Sequence, residues 1–232
     1  EILNITIDRL LSKIENSGNE LQLFINAMMI DETYFFREEK HFEIIEKNIF
    51  PQMNVSNSEI NLWSCACSMG AEAFSLAALC LKYVTNGRFK NYTVYATDIN
   101  TKALAYIKNC ELNKSQFRQD GERYHSLITS DIKDKVLISE KLKKLLKNIE
   151  VSFLNLFAHT YNTVPDKIHI AFLRNIFIYM DDQAKSIILH KVLQKLVPGG
   201  YLFLGAGEIP FINHRELVSK EYKGAYYFQK TG

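Results

Sequence analysis

The chain has 232 residues, of which 47% are hydrophobic and 23% are charged. A chain of this length and composition can bury a core of its own, which excludes disordered, collagen-like and coiled-coil proteins. The 28 Lys and Arg residues exceed the 26 Asp and Glu residues by only two. Bulk charge therefore indicates neither a nucleic-acid partner nor a membrane surface, and we expect no nucleic-acid binding and no direct membrane insertion.

The sequence has four cysteines, no signal-peptide pattern and no apolar run of membrane-spanning length. These features are typical of a protein in the reducing cytosol, and we expect a cytoplasmic location. Cys65 and Cys67 lack further ligands at zinc-binding spacing, so the sequence predicts that they pack in the core and that the protein holds no metal. No Met precedes the helix-patterned residues that follow Glu1, and we expect that an upstream segment is missing.

The first 50 residues show helical periodicity. Apolar residues at helical spacing over 7–14 and again over 21–28, separated by polar residues 16–19, predict a helical hairpin. A third helix is predicted over residues 38–49, ending before Pro51. We interpret residues 1–50 as an N-terminal helical region and linker, and residues 51–232 as the main domain.

From residue 60 onward, short apolar segments alternate with amphipathic ones. Strands are predicted at 60–65, 92–98, 151–156, 168–173 and 201–208, with helices at 71–83, 101–108 and 182–196 and a closing hairpin at 220–230. This alternation predicts an α/β fold, with a mainly parallel sheet covered by helices on both faces. Residues 111–148 are more polar, and we interpret them as an insertion that stands off the sheet.

Ligands of such sheets bind beyond the carboxyl ends of the strands. The turn after the first strand has the single glycine Gly70, which argues against a pyrophosphate-binding loop and for a nucleoside. After the second strand comes Asp98, which either accepts hydrogen bonds from a ribose or caps the following helix. Asn155 after the third strand either contacts a base or stabilises a turn.

Two further segments carry polar residues beside apolar ones. Arg174 and Asn175 interrupt the apolar residues 168–180, where an unpaired guanidinium would be costly to bury. Tyr179 follows at the mouth of the same crevice or is an ordinary residue of the core edge. Arg37 lies beside an apolar cluster in the segment that joins the first helices to the sheet.

Six motifs in order resemble the chemotaxis receptor methyltransferases, the CheR family: DETYFFREEKHF (31–42), LWSCACSMGAEAFSLA (62–77), YATDIN (95–100), FLNLF (153–157), LRNIFIYM (173–180) and PGGYLFLGAGE (198–208). The resemblance implies a class I S-adenosylmethionine-dependent methyltransferase fold that is Rossmann-like, with a small antiparallel β-subdomain at 111–148 and a shortened N-terminal helical region. It implies methylation of glutamate side chains on the cytoplasmic domains of chemotaxis receptors, with S-adenosylmethionine as cofactor and S-adenosylhomocysteine as product.

The resemblance also implies roles for individual residues. Arg37 and Tyr179 would shape the methyl-transfer site, and Arg174 would lie at the substrate end. The implied cofactor-binding residues are Asp31, Thr33, Arg37, Glu72, Asp98, Asn155, Leu156, Asn175 and Ile176. The turn at 66–72 differs from the family pattern at several positions, so an alternative interpretation is a catalytically impaired regulatory or interaction module that still binds the cofactor.

Overall fold

The computed structural model describes residues 17–29, 32–53, 59–111, 114–128 and 140–232. Its centre is a seven-stranded sheet in the order β3-β2-β1-β4-β5-β7-β6. The strands are β1 (Glu59–Cys65), β2 (Asn91–Asp98), β3 (Ile149–Phe153), β4 (Ile168–Leu173), β5 (Leu196–Phe203), β6 (Leu217–Tyr222) and β7 (Ala225–Lys230). Strands β1 to β5 are parallel, and β7 is antiparallel to both β5 and β6. The structure confirms the predicted α/β fold.

The helices are α1 (Gly18–Met28), α2 (Glu39–Ile44), α3 (Phe50–Gln52), α4 (Ala71–Thr85), α5 (Thr101–Asn109), α6 (His125–Ile128), α7 (Glu140–Leu146) and α8 (Asp182–Lys195). Short 3-10 turns occupy Lys114–Gln116, Glu122–Tyr124, Phe177–Tyr179 and Ala206–Phe211. The predicted helices after the first two strands and before the fifth are confirmed as α4, α5 and α8.

Both faces of the sheet are buried. In β1, Ile60 and Leu62 belong to the core cluster on one face, whereas Trp63 and Cys65 belong to the cluster on the other. Successive side chains of a strand point to opposite faces, so a strand buried on both faces is a continuous apolar run. The indole N–H of Trp63 donates to Thr97 Oγ1 at 2.9 Å, which satisfies its polar atom within the core.

The N-terminal helices pack in different ways. The first predicted helix lies outside the described residues, and the second is confirmed as α1, which docks on the start of α5 through Asn26 and Thr101. Helix α2 continues through a π-helical turn at Ile45–Ile49 into α3, so the predicted end before Pro51 is wrong. The proline is tolerated because the preceding π-helical turn departs from the regular hydrogen-bond ladder with which its ring would clash.

Residues on either side of position 50 share one core. Phe36, Phe42 and Ile45 are fully buried in the same cluster as Leu62 of β1. The division into residues 1–50 and 51–232 stays a prediction, and the structure adds that the segment around α2 packs directly on the sheet. This packing fixes the backbone of the preceding segment, which contains Arg37, relative to the strand ends.

The closing hairpin forms as predicted from the sequence. Strands β6 and β7 pair with Tyr222 opposite Ala225. The two residues between them, Lys223 and Gly224, have φ values of 51° and 79°. Two consecutive left-handed residues are the geometry of a type I′ turn, which matches the twist of the strands it joins.

The described part of the segment at 111–148 corrects one expectation and leaves another as a prediction. Its described residues, 111, 114–128 and 140–148, contain helices and no strand, so they do not show the implied antiparallel β-subdomain; residues 129–139 lie outside the described part. The segment also does not stand off the sheet in that part, because Ile128, Leu142 and Leu145 are buried in the main core. The spacing of Leu142 and Leu145 puts both on one face of α7, which packs against α4.

We expect Leu142→Ala to lower the free energy of unfolding by about 2–5 kcal/mol, because it leaves a cavity at a fully buried position. Leu81→Ala is the matched control, since Leu81 of α4 is 38% exposed. Urea unfolding of the two variants measures the difference. Equal, small losses would contradict the packing of α7 into the core.

Candidate active site

The predicted site residues follow strands that end together. Cys65 at the end of β1 pairs with Thr97 of β2 and with Leu173 of β4. Asp98, which ends β2, pairs with Phe153 of β3. The segments that contain Glu72, Asp98, Asn155 and Asn175 therefore begin at the same edge of the sheet, where ligands of parallel sheets bind.

The turn between β1 and α4 is tightly coiled. Ala66, Ser68 and Gly70 all have positive φ, at 55°, 49° and 86°. A side chain at Gly70 would have its Cβ only 2.5 Å from Ile107 Cγ1, so the turn lies directly on α5 and requires glycine there. The backbone of this β1–α4 turn therefore faces the end of β2.

Asp98 joins two of these loops. Its Oδ2 accepts a hydrogen bond from the Ser68 backbone N–H at 2.7 Å, and its Oδ1 accepts one from the Asn100 N–H at 2.8 Å. Asn100 is the N-cap of α5, because its Oδ1 accepts from the Ala103 N–H. Asn100, and not Asp98, therefore caps α5. The Asp98 carboxylate lies at the strand end between the two loops.

Arg174 is buried, and its Nε and Nη1 groups are hydrogen-bonded. Its Nε donates to Glu72 Oε2 at 2.8 Å, and its Nη1 donates to the backbone oxygen of Arg37 at 2.7 Å. The other oxygen of Glu72 accepts from Ser64 Oγ at 2.6 Å. The guanidinium also lies 4.9 Å from the centre of the Phe172 ring. The arginine thus links Glu72 with the segment containing Arg37, and its predicted substrate contact stays a prediction.

His41 completes this buried cluster. Arg174 Nη1 lies 3.1 Å from His41 Nδ1, and since arginine only donates, that nitrogen accepts and the imidazole is neutral. Burial and the neighbouring Arg174 hold the pKa of His41 well below its usual value. Glu38 is close to both residues, and burial raises the pKa of its carboxyl.

Glu208 organises the loop after β4. Its carboxylate accepts hydrogen bonds from four backbone N–H groups, those of Asn175, Ile176, Phe177 and Gly205, at 2.7–2.8 Å. Asn175 has a φ of 60°, in the left-handed region. The predicted cofactor residues Asn175 and Ile176 are therefore held by a carboxylate from the next loop.

The other predicted residues are less connected. Asn155 Oδ1 accepts from the Phe157 N–H at 2.8 Å, which is the turn role considered for it, and the Leu156 carbonyl accepts from Tyr161. Thr33 is half-buried and Tyr179 is 66% exposed, and neither forms a side-chain hydrogen bond with another described residue. Asp31 lies outside the described residues.

Comparison with known proteins settles the family. A family model described as "CheR methyltransferase, SAM binding domain" matches residues 31–225. The chain belongs to the CheR methyltransferase family. The chemotaxis protein methyltransferase of Borreliella burgdorferi is 29% identical, over 84% of this chain and 71% of that protein. Those of Salmonella typhimurium and Escherichia coli are 32% and 33% identical, each over 86% of this chain and 68% of the relative.

Family membership confirms the resemblance and identifies a methyltransferase whose cofactor is S-adenosylmethionine. The turn after β1 fits a polar ligand, because Ser68 Oγ is buried and has no hydrogen-bond partner in the described part of the chain. An unsatisfied buried hydroxyl is costly, and a bound ribose or amino group would satisfy it. Glu72 and Asp98 also bring carboxylates to this edge, and carboxylates accept hydrogen bonds from hydroxyl and amino groups.

The segment containing Arg37 is fixed by the start of the insertion. Asp120 accepts from the Tyr34 hydroxyl at 3.0 Å and from the Glu38 N–H at 2.8 Å. The Phe35 N–H donates to the Gln116 carbonyl at 2.8 Å. Residues 33–37 of this CheR family member are therefore positioned by polar side chains and backbone of the 114–120 region.

Asp120, His41 and Glu208 were not among the predicted site residues. Asp120 precedes Gly121, and Asp-Gly is ordinary turn chemistry with no sign of a distant partner. Glu208 is the last residue of the predicted strand 201–208 and lies inside one of the quoted motifs, and a carboxylate at the end of an apolar segment was the available signal. The four cysteines are all buried, and burial raises the pKa of the Cys65 and Cys67 thiols, in agreement with the predicted packing role.

We expect the neutral His41 to make stability depend on pH. An unfolded histidine has a pKa of about 6.5, whereas the folded His41 resists protonation. Below pH 6.5 the unfolded chain therefore binds a proton that the folded chain does not, and the free energy of unfolding falls as pH falls. The contribution of His41 between pH 8 and pH 5.5 should be about 1.4 kcal/mol.

Chemical unfolding at both pH values, with wild type and His41→Gln, tests this. The variant should be less stable at pH 8 but lose less stability on acidification. His190→Gln, at an exposed position of α8, is the control and should keep the wild-type pH dependence. An unchanged dependence in His41→Gln would show that another group carries it.

We expect Ala66→Gly to leave stability unchanged or raise it by up to about 1 kcal/mol. The left-handed conformation of Ala66 strains an L-residue, and glycine relieves that strain. The gain offsets or outweighs the cost of glycine's larger conformational entropy in the unfolded chain. Ala78→Gly, in the right-handed helix α4, should instead cost at least about 1 kcal/mol. Thermal unfolding compares them, and equal losses would contradict the positive φ of Ala66.

Proposed function

We propose that this protein transfers methyl groups from S-adenosylmethionine to glutamate side chains on the cytoplasmic domains of chemotaxis receptors, in the cytoplasm. The observation that carries the proposal is the family match over residues 31–225, together with relatives named as chemotaxis protein methyltransferases. No helix among the described residues is long and apolar enough to cross a membrane. No observation favours the catalytically impaired alternative.

The proposed cofactor site lies at the carboxyl ends of β1 to β4. Asp98 accepts from the ribose hydroxyls, and Glu72 attracts the positive amino end. Asn175 and Ile176 line one side, held in place by Glu208. We assign the adenine side to Asn155 and Leu156, and the methionine side to Asp31, Thr33 and Arg37. The ribose contact of Asp98 would add to the backbone hydrogen bonds that its carboxylate already accepts at this edge.

The chemistry asks for positioning more than for acid or base groups. The bound cofactor supplies a methyl group on a positively charged sulfur. A glutamate carboxylate is already ionised at neutral pH, so no general base is needed for its in-line attack. The protein orients the acceptor and strips water from it, which brings the reacting atoms together and strengthens their attraction. Arg37 and Tyr179 are the residues that we propose shape this transfer site.

The exposure of Tyr179 supports a contact with the receptor. It ends the 3-10 turn Phe177–Tyr179 that follows β4, and its ring is 66% exposed beside Ile178, which is 54% exposed. The preceding Phe177 is fully buried and anchors this turn in the core. A large exposed aromatic group on an anchored turn at the crevice can contact a protein substrate without reorganisation of the fold.

Methyl transfer to receptor cytoplasmic fragments tests the proposal. We expect purified protein with methyl-labelled S-adenosylmethionine to form base-labile methyl esters on glutamates, and no ester in fragments whose acceptor glutamates are replaced by alanine. Tyr179→Phe should lower kcat at least about tenfold, which corresponds to about 1.4 kcal/mol of transition-state stabilisation. Tyr226→Phe, at a 43%-exposed tyrosine of β7, is the control and should keep wild-type kcat.

Two results would contradict parts of this proposal. Binding of S-adenosylhomocysteine without any transfer to receptor fragments would exclude the receptor glutamates as substrates. Equal kcat in Tyr179→Phe and wild type would exclude a role of the Tyr179 hydroxyl in the transfer site.

A further inference from the structure

A single buried carboxylate joins two loops at the edge of the sheet where the strands' carboxyl ends lie. Glu208 lies in the 3-10 turn Ala206–Phe211 after β5 and is 1% exposed. Its Oε1 accepts from the backbone N–H groups of Ile176 and Phe177, and its Oε2 accepts from those of Asn175 and Gly205. Three consecutive donors of the loop after β4 thus point at one side chain of the loop after β5. Charge-assisted hydrogen bonds of this kind are short and strong.

The backbone of the loop after β4 depends on this contact. Asn175 adopts a φ of 60°, a conformation that is costly for a residue with a side chain unless its surroundings hold it. The three N–H groups of Asn175, Ile176 and Phe177 point the same way because of that conformation, and buried donors need an acceptor. Glu208 supplies the acceptor, which makes it the partner that maintains this geometry.

Gly205 leaves the space in which the two loops meet. A Cβ at Gly205 would lie 2.7 Å from Asn175 Nδ2 and 2.8 Å from Glu208 Oε2. Contacts that short do not occur between real atoms of these types, so any side chain at this position would push Asn175 and Glu208 apart. Gly205 and Glu208 therefore form one closely packed unit with Asn175.

We propose that Glu208 is a positioning residue of the methyltransferase site: it sets the backbone of Asn175 and Ile176 against the cofactor and fixes the turn that bears Tyr179. The inference rests on the proposed function, since that function places Asn175 and Ile176 beside the cofactor. Glu208 itself touches neither cofactor nor substrate. It acts through the backbone donors that it holds.

Glu208→Gln is the variant that isolates this role. Glutamine has nearly the same size but only one acceptor oxygen, so in either orientation of the amide two of the four N–H groups face an NH2 group. At a temperature at which circular dichroism shows the variant fully folded, we expect the Kd for S-adenosylhomocysteine, measured by calorimetry, to rise at least about tenfold. The KM for S-adenosylmethionine should rise in parallel.

Glu46→Gln is the matched control. The Glu46 side chain is 12% exposed and accepts hydrogen bonds from Lys82 and from the Tyr124 hydroxyl. The variant therefore loses hydrogen bonds of a largely buried carboxylate at a place remote from the carboxyl ends of the strands. We expect its melting temperature to fall while its Kd for S-adenosylhomocysteine stays within about twofold of wild type, since a purely structural loss does not change binding by the folded fraction.

Gly205→Ala tests the same unit without touching the carboxylate, and it decides the matter if Glu208→Gln does not fold. We expect the same rise in Kd, of about tenfold or more. Wild-type Kd values in the folded form of either variant would overturn the proposal. A wild-type protein that fails to bind S-adenosylhomocysteine would instead overturn the proposed function, which keeps the two failures distinguishable.

Discussion

The arrangement of the loops at the carboxyl ends of the strands depends on the buried guanidinium of Arg174. A charge at this depth is tolerated only when it is paired and hydrogen-bonded, and Arg174 meets that requirement with Glu72 and with the Arg37 carbonyl. Its partners come from helix α4, which follows β1, and from the segment before α2. Satisfying one charge therefore fixes three stretches of chain relative to one another and orients the Glu72 side chain.

Carboxylates act in the same way at the neighbouring loops. Asp98 holds the turn after β1, Asp120 holds the segment containing Arg37, and Glu208 holds the loop after β4, each by accepting backbone N–H groups. The backbone N–H groups of loops at the carboxyl ends of a parallel sheet have no neighbouring strand to donate to. Buried N–H groups nevertheless require an acceptor. The loops at this edge are thus held in place by acidic side chains.

The sequence was informative where the signal is local. The apolar runs and the amphipathic segments between them predicted α4, α5, α8 and the hairpin turn at Lys223 and Gly224, because periodicity and turn chemistry depend on neighbouring residues. It was misleading over 111–148, where short polar segments concealed Leu142 and Leu145, which pack in the main core. It also placed a helix end before Pro51, although the preceding π-helical turn accommodates that residue.

By itself, the sequence determined the family, the α/β class and most of the residues that lie at the strand ends, because ordered motifs and apolar periodicity are written in consecutive positions. Only the tertiary structure decided what those residues do for one another. Arg174 bonds to a carbonyl 137 positions away, and Glu208 to backbone donors 31 to 33 positions away. Such pairings arise when the sheet brings distant loops to one edge, and no local pattern specifies which buried donor will meet which carboxylate.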